Sequence, residues 1–467
     1  MNSSLNDDSE AIDTTDKKLI KKNSSVAVAG DFRPSTGRIL KACAKAIEDF
    51  GLKVDYCGII PTQAVSLYGF KRDIPSVMVT GSHIPSDRNG IKFNLPDGEI
   101  LKKDEQKITD RYQRILAAGG FSSLFGRKDS LKKIVKLPKI NQTPEKEYIE
   151  RYLEFFKPNL LKDKKIVVYQ QSTVIRDIMV EVLKKLGARV IPVGRSEKFI
   201  PIDNEAISIK DFVKVAKWAR KFHSDAVVSA DGDGDRPMLF DETGKTIHGD
   251  FLGIICSTYL RADSVSATVS CTTALEKSKK FKKINRTKIG SPYVIEAMQE
   301  DEKRGFKRIV SYETNGGFLT QSDIRLNNKR LRALPTRDSM LPILCTLALA
   351  VEKKLPLSKL VRQLPQRFVY SQSIKGFPTE RSRKILQKIS KSNLGAKKAA
   401  KELFGLPAEV KKIDFLDGAR MYLANGEIVH VRPSGNSPEL RAYIEADNLL
   451  RAKKICEQTL KKLIRLA

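Results

Sequence analysis

A strand–helix–strand pattern recurs along this 467-residue chain and constrains its fold more than any other sequence feature. The first copy joins an apolar run at 26–30, a helix with apolar residues at helical spacing, and a second apolar run at 54–61. A second copy starts with a strand at 166–170 and ends with a strand at 189–193, and a third begins within 266–280. The repetition predicts three similar α/β domains in tandem.

The C-terminal part follows a different pattern. From about residue 370 a basic, helix-rich stretch leads into alternating segments on either side of an Asn-Gly pair at 425–426, which predicts a hairpin turn. An amphipathic helix is predicted over 447–465. The chain is therefore predicted to be an α/β protein whose three tandem domains are followed by a smaller C-terminal α+β domain.

Composition shifts and the repeats place the domain boundaries. The polar residues 1–24 are predicted to be a disordered tail. The predicted domains follow in order at 25–155, 156–264, 265–368 and 369–467.

The net charge bears on the class of partner. With 85 basic and 55 acidic side chains the chain carries +30, which suits nucleic acid, membrane phosphates or phosphorylated substrates. The densest run, 277–288, holds seven cations and is interpreted as a solvated, Lys-rich surface, with attraction of anionic substrates as the alternative. Because nucleic-acid-binding motifs are absent, no nucleic-acid partner is expected.

A membrane or secreted location is not expected either. The most apolar stretch, 340–351, is too short to span a bilayer, and the first 22 residues contain no apolar signal-peptide core. The six cysteines form no CxxC pair, which is typical of reduced thiols. These features predict a cytoplasmic protein without a membrane partner.

The strongest local motif is Ala-Asp-Gly-Asp-Gly-Asp-Arg at 230–236, here called the aspartate loop. Three carboxylates at alternate positions repel one another unless a cation joins them, and hard oxygen ligands favour Mg²⁺ or Ca²⁺. An EF-hand is one alternative because Glu242 falls at position 12, but Arg236 occupies the position that needs glycine. A surface turn without a metal is the other.

A second motif, Thr-Gly-Ser-His-Ile-Pro at 80–85, follows an apolar strand and is called the serine loop. Ser82 is a candidate nucleophile or phosphorylation site, with His83 beside it and Lys92 downstream. A serine in a turn also has an ordinary structural role, and the motif is not the Gly-x-Ser-x-Gly elbow of hydrolases.

Two further loops contain polar side chains between glycines. In the sugar loop, 311–318, Glu313 and Asn315 suit paired sugar hydroxyls. In the phosphate loop, 432–438, an arginine, hydroxyls, a glycine and an amide make a cradle for phosphate, with Arg441 nearby. Each loop alone also fits a plain structural turn.

Together, in this order and spacing, the four loops resemble the α-D-phosphohexomutase superfamily over nearly the whole chain. TGSHIP, DGDGDR and ETNGG are most similar to bacterial phosphomannomutases. The resemblance implies four domains around a central cleft, one loop in each domain. It also implies Mg²⁺ as cofactor, hexose 1,6-bisphosphate as activator, and mannose 6-phosphate and mannose 1-phosphate as substrates of a monomer or homodimer.

The resemblance also implies roles for individual residues, with Ser82 carried as phosphoserine. The implied catalytic residues are Ser82, His83, Lys92 and Arg236. The implied metal ligands are Ser82, Asp231, Asp233 and Asp235. The implied substrate-binding residues are Lys288, Ser291, Glu313, Asn315, Arg432, Ser434, Asn436 and Arg441.

The sequence departs from the family pattern in three places. Relatives usually begin with a strand bearing Gly-x-Arg-Gly, whereas residues 1–25 contain neither arginine nor glycine, so that strand is expected to be absent. Gly317 and Phe318 stand where many relatives have histidine, and Asn436 and Ser437 where Thr-Glu is commoner.

The alternatives to a phosphomannomutase are a mutase specific for phosphoglucose or phosphoglucosamine, a dual-specificity mutase, or a non-catalytic relative that binds sugar phosphates or a partner protein.

Overall fold

A computed structural model of the chain describes residues 24–119, 125–126, 131–132, 135–205, 207–391, 395–434 and 438–465. The chain divides into two compact units. The first consists of Met1–Met238 and Asn328–Ser339, and the second of Leu239–Asn327 and Met340–Ala467. The predictions of a disordered tail and of a missing first strand fall almost entirely outside the described residues.

The first α/β segment begins with a short, almost fully buried apolar strand, as is typical of parallel sheets covered on both faces. Its elements are β1 (Ser25–Gly30), α1 (Thr36–Asp49), β2 (Lys53–Ile59), α2 (Thr62–Arg72), β3 (Ser76–Val79), β4 (Ile91–Leu95), β5 (Gly98–Glu99), α3 (Lys102–Ala117) and α4 (Thr143–Phe155). The sheet order is β2-β1-β3-β4-β5, and β1 runs parallel to both neighbours. Val28 and Leu40 lie in the core between this sheet and α1.

The second segment repeats the pattern. Its elements are β6 (Lys165–Gln171), α5 (Arg176–Lys185), β7 (Arg189–Arg195), α6 (Ile209–Phe222), β8 (Ala226–Ala230), β9 (Pro237–Phe240) and β10 (Thr246–Ile247). Strand β6 lies between β7 and β8 and is parallel to both. Helix α6 begins at a cap in which the Ser208 side chain accepts a hydrogen bond from the Asp211 amide. The aspartate loop follows directly after β8, a strand whose five residues are all buried.

The third segment carries the sugar loop. Its elements are α7 (Gly249–Tyr259), β11 (Ser264–Thr268), α8 (Ala274–Lys277), β12 (Lys283–Thr287), α9 (Ser291–Lys303), β13 (Ile309–Tyr312), β14 (Phe318–Thr320), β15 (Ile324–Leu326), β16 (Lys329–Leu331), β17 (Leu334–Asp338), α10 (Met340–Glu352) and α11 (Leu357–Arg362). Within the second unit its sheet has the order β12-β11-β13-β14. Strands β16 and β17 belong to the first unit instead.

The fourth segment is an antiparallel sheet with helices. Its elements are β18 (Phe368–Lys375), α12 (Thr379–Ser390), α13 (Ala396–Phe404), β19 (Val410–Asp414), β20 (Ala419–Leu423), β21 (Ile428–Pro433), β22 (Glu439–Ala446) and α14 (Leu449–Arg465). The order is β18-β22-β21-β20-β19, and the predicted Asn-Gly hairpin turn joins β20 to β21. Phe404, Ile444 and Leu463 lie in the core beneath the helices.

The fold-class prediction is confirmed: three α/β segments precede a smaller α+β segment. The boundaries of the individual domains stay predictions. Among the described residues no helix is long and apolar enough to cross a membrane. The apolar stretch singled out in the sequence forms α10, a mostly buried helix of 13 residues.

Two helical glycines give a matched test of this packing. A Cβ added at Gly253 in α7 would lie 2.3 Å from the buried Tyr312 ring, whereas one added at the exposed Gly37 in α1 would meet nothing within 4 Å. We expect Gly253→Ala to lower the free energy of unfolding by about 1–3 kcal/mol through overpacking. Gly37→Ala should raise it by about 0.5 kcal/mol through lower chain entropy. Calorimetric melting checks both, and a Gly253→Ala protein that melts at or above the wild-type temperature contradicts the packing described.

Candidate active site

Ser82 lies in the first unit, in the loop directly after β3. Its hydroxyl donates a 2.6 Å hydrogen bond to Asp231 Oδ2, and the residue is only 9% exposed. Its φ of 52° lies in the left-handed region, which side chains with a Cβ rarely adopt. The serine is therefore held in one position and is not on a free surface turn.

The aspartate loop joins β8 to β9 and carries three side chains with almost no exposed surface: Asp231, Asp233 and Asp235. Gly234 has a φ of 77°, which lets the backbone reverse between the second and third aspartate. A Cβ at Gly232 would lie 2.8 Å from the Ser82 carbonyl oxygen. The glycines thus allow the two loops to touch backbone to backbone.

The carboxylates fit a divalent cation. One oxygen from each aspartate lies within 4.8 Å of the others, a grouping of His, Cys, Asp or Glu that is found once among the described residues. The Oδ1 atoms of Asp233 and Asp235 are buried without a hydrogen-bond donor. Burial, added to repulsion by its neighbours, raises the pKa of Asp231 well above its ordinary value. Because strands flank the loop on both sides, the EF-hand alternative is wrong.

Two predicted cations contact these carboxylates. Lys92 Nζ, on β4, lies 2.6 Å from Asp233 Oδ2 and 2.6 Å from Asp235 Oδ2. Burial opposes its charge, but the two carboxylates outweigh burial and raise the pKa of Lys92. Arg236 Nε lies 3.9 Å from Asp231 Oδ2.

A third cation, Arg337, was not anticipated from the sequence. Its Nε lies 3.0 Å from Asp235 Oδ2. The next residue, Asp338, accepts hydrogen bonds from the hydroxyls of Tyr148 at 2.8 Å and Tyr152 at 2.5 Å, which fixes β17. Burial works to raise the pKa of Asp235, but its cationic neighbours, Arg337 first among them, outweigh burial and hold that pKa low.

His83 follows the serine directly. Burial, and then repulsion by Arg236, lowers the pKa of His83 to about 4, so its imidazole is neutral at pH 7. Its Nδ1 atom is buried and has no hydrogen-bond partner. His83 therefore adds a neutral polar group to the site and not a fourth positive charge.

The sugar loop lies in the second unit, between β13 and β14. Glu313 and Asn315 are 5% and 8% exposed, and Asn315 Oδ1 accepts a 2.9 Å hydrogen bond from the Gly317 amide. A Cβ on Gly249, the first residue of α7, would lie 2.2 Å from the Thr314 carbonyl oxygen. The first residue of α7 thus packs against the backbone of the sugar loop and limits its movement.

Asp417 connects the segment that carries Lys288 and Ser291 with Arg432, at the start of the phosphate loop. Lys288 follows β12, and Ser291 is the first residue of α9. Asp417 Oδ2 accepts a 3.0 Å hydrogen bond from the Ile289 amide, and Asp417 Oδ1 lies 3.1 Å from Arg432 Nε. No motif in the sequence points to this bridging aspartate.

The phosphate loop begins where β21 ends. Arg432 and Arg441 lie directly opposite each other on β21 and β22, and each pairs with a carboxylate, Asp417 at 3.1 Å and Glu439 at 3.2 Å. The Ser434 amide donates a 2.8 Å hydrogen bond to the Glu439 carbonyl. The remaining predicted residue, Asn436, lies outside the described residues.

Comparison with known proteins identifies the family. Models of the phosphoglucomutase/phosphomannomutase α/β/α domains I, II and III match residues 9–118, 146–244 and 248–368, and that of the C-terminal domain matches 382–462. A phosphomannomutase from Sinorhizobium fredii (strain NBRC 101917 / NGR234) is 41% identical over 449 residues, which cover 95% of this chain and 91% of that protein. This chain belongs to the phosphoglucomutase/phosphomannomutase family.

Two further proteins support the family assignment. A phosphomannomutase from Salmonella muenchen is 40% identical and covers 93% of this chain and 87% of its own length. The crystal structure of a phosphoglucomutase/phosphomannomutase family protein from Burkholderia thailandensis matches with a TM-score of 0.72 over 95% of this chain and 89% of that one. At 18% identity the latter match concerns the fold alone.

Cation binding at the aspartate loop is directly testable. We expect the protein to bind a divalent cation such as Mg²⁺ and Asp233→Asn to bind it at least about 10-fold more weakly, because an amide lacks the carboxylate charge. Isothermal titration calorimetry measures both affinities. Asp241→Asn is the control, since Asp241 is also buried but only closes the turn after β9. Equal affinities for the wild type and Asp233→Asn would place the cation elsewhere.

Proposed function

We propose that this chain is a Mg²⁺-dependent phosphomannomutase, which interconverts mannose 6-phosphate and mannose 1-phosphate through a phosphorylated serine. One observation carries the proposal: Ser82 Oγ lies 2.6 Å from a buried triad of aspartates that three cations contact. Identity of 41% to one phosphomannomutase and 40% to another supports mannose phosphates over other hexose phosphates.

Charge balance supports phosphoryl transfer at this place. When all three carboxyls are ionised, as metal ligands are, their three negative charges are offset by Lys92, Arg236 and Arg337. A doubly charged phosphoserine and a divalent cation add charges that also cancel, so both can enter without leaving a net charge buried. Phosphoryl transfer depends on such positioning and charge stabilisation, and little on covalent chemistry by the protein.

The donor set fits Mg²⁺, which would be held by Asp231, Asp233, Asp235 and an oxygen of phosphorylated Ser82. When bound, the ion neutralises charge that develops on the transferring group. Lys92 and Arg236 hold the oxygens of that group, and the neutral His83 offers a hydrogen-bonding nitrogen beside it. Thr62 donates a 2.5 Å hydrogen bond to Asp233 Oδ2 and orients that carboxylate.

Recognition of the sugar phosphate is assigned to the second unit. Glu313 and Asn315 are proposed to read the sugar hydroxyls, and Lys288 and Ser291 to bind the substrate beside α9. The unreacting phosphate suits the facing Arg432 and Arg441, because guanidinium groups donate charge-assisted hydrogen bonds to phosphate oxygens. Ser434 and Asn436 complete the proposed phosphate cradle.

The proposed reaction moves one phosphoryl group at a time. Phosphorylated Ser82 transfers its phosphoryl group to the free hydroxyl of the hexose monophosphate. That hydroxyl loses its proton as the new ester bond forms, and Ser82 Oγ takes up a proton as its own bond to phosphorus breaks. The resulting hexose 1,6-bisphosphate turns over and returns its other phosphoryl group to Ser82 Oγ. Added bisphosphate activates the enzyme because it phosphorylates Ser82.

All six cysteines are free thiols, which supports the cytoplasm as the compartment.

Turnover of two substrates side by side tests the activity and the choice of hexose. With Mg²⁺ and a trace of hexose 1,6-bisphosphate, phosphorus NMR should show mannose 1-phosphate converted to the 6-phosphate faster than glucose 1-phosphate. A faster glucose reaction would favour the phosphoglucomutase alternative. No conversion by folded, Mg²⁺-binding protein would favour a non-catalytic relative.

The serine is tested separately. Ser82→Ala should lower kcat by at least about 10³-fold, because the group that carries the phosphoryl is lost. Circular dichroism should show the fold retained. Ser390→Ala, at an exposed serine on α12, is the matched control and should keep full activity. Full activity of Ser82→Ala would exclude the phosphoserine.

A further inference from the structure

The conformation of the serine loop requires support from outside the loop. Ser82 has a left-handed backbone, which persists only where the surroundings hold it. Its amide donates a 2.8 Å hydrogen bond to Thr80 Oγ1, and Thr80 Oγ1 donates a 2.8 Å hydrogen bond to Asp31 Oδ2. One end of the loop is thus tied to Asp31, which follows β1.

Arg33 holds the rest of the loop. Its Nη2 donates to the carbonyls of Ser82 and Ile84, both at 2.7 Å, and its Nη1 to those of Pro85 at 2.6 Å and Arg88 at 2.9 Å. A guanidinium has five N–H donors, and the fifth, on Nε, is used too. Every donor of this side chain therefore has a partner, and four of the five partners are backbone carbonyls of residues 82–88.

The surroundings of Arg33 leave it no other position. Its side chain is fully buried, and Nε lies 3.1 Å from Asp31 Oδ2. The Phe199 ring covers the guanidinium at 4.3 Å. A Cβ on Gly81 would lie 2.7 Å from the guanidinium carbon, so only glycine fits there.

Phe199 extends this support to the aspartate loop. A Cβ on Gly232 would lie 2.9 Å from the Phe199 ring and 2.8 Å from the Ser82 carbonyl oxygen, the same oxygen that Arg33 binds. The guanidinium, the ring and the Ser82 carbonyl therefore fix the separation of the two loops. The 2.6 Å contact between Ser82 Oγ and Asp231 depends on that separation.

We propose that Arg33 is a positioning residue for phosphoryl transfer: its guanidinium fixes the serine-loop backbone so that Ser82 Oγ stays on Asp231. The inference rests on the proposed function. Arg33 contacts neither Ser82 Oγ nor the aspartate triad through any of its five hydrogen bonds, so its effect passes through the backbone. Lysine cannot replace it, because three donors on one nitrogen cannot reach four separate carbonyls.

The test compares Arg33→Lys with Arg176→Lys. Arg176 is a matched control in the same unit: it is buried, lies 4.5 Å from the Phe32 ring, and donates to the carbonyls of Gln171 and Ser196. Glucose 1,6-bisphosphate is mixed with dephosphorylated protein and Mg²⁺. Intact-protein mass spectrometry follows the phosphorylation of Ser82 in a single turnover, and rates are expressed per folded molecule.

Arg33→Lys should slow this phosphorylation by about 10²-fold, the effect of misplacing a reacting atom by about 1 Å. The KM for hexose phosphate and the Mg²⁺ affinity of the unphosphorylated protein should stay at wild-type values, because their ligands are intact. Arg176→Lys should react at the wild-type rate. Equal rates for the two variants would overturn the inference, since Arg33 would then matter only for stability.

Two provisions keep the result decisive. If Arg33→Lys does not fold, Thr80→Val removes the hydroxyl that holds the Ser82 amide, and it should slow the reaction by about 10-fold with the same unchanged KM. A wild-type rate for Thr80→Val would then overturn the inference. If the wild type itself is not phosphorylated by the bisphosphate, the proposed function fails, and that outcome is distinct from failure of the Arg33 inference.

Discussion

Three carboxylates buried within 4.8 Å of one another repel strongly in an interior of low dielectric constant. Cations from three places in the first unit contact them. Lys92 comes from β4, Arg236 from the aspartate loop itself, and Arg337 from β17. These three cations offset the charge of the buried carboxylates. Asp235 Oδ2 is contacted by both Lys92 and Arg337, so two of these cations share a single carboxylate oxygen.

The serine loop depends on a second layer of buried charge. Asp31 and Arg33 pair where no solvent reaches. Arg33 also donates to backbone carbonyls such as that of Ser82, and Asp31 accepts a hydrogen bond from the Thr80 hydroxyl. A buried pair of this kind gives little net stability, because desolvation cancels much of the attraction. The pair instead positions the backbone of the serine loop and, through it, the Ser82 hydroxyl.

The sequence predicted the parts of the site that short motifs encode, and it missed the parts that depend on contacts between residues far apart in the chain. Ser82 and the aspartates were found because motifs of six or seven consecutive residues encode them, and the flanking strands were visible as apolar runs. Arg337 was missed because it lies 102 residues from Asp235 and reaches the site only through tertiary packing. Arg33 was not predicted, because its four carbonyl partners lie 49 to 55 residues away and depend on the pairing of β1 with β3. Asp417 was missed for the same reason.

The chain crosses between its two units three times, because Asn328–Ser339 returns to the first unit after the sugar loop has been made. A growing polypeptide therefore exposes its complete aspartate triad long before Arg337 leaves the ribosome. Until that point the triad has only two of its three cations, and β17 is not yet present to place Asp338 on Tyr148 and Tyr152. The order of synthesis thus delays the last contacts of the triad until most of the third segment has been made.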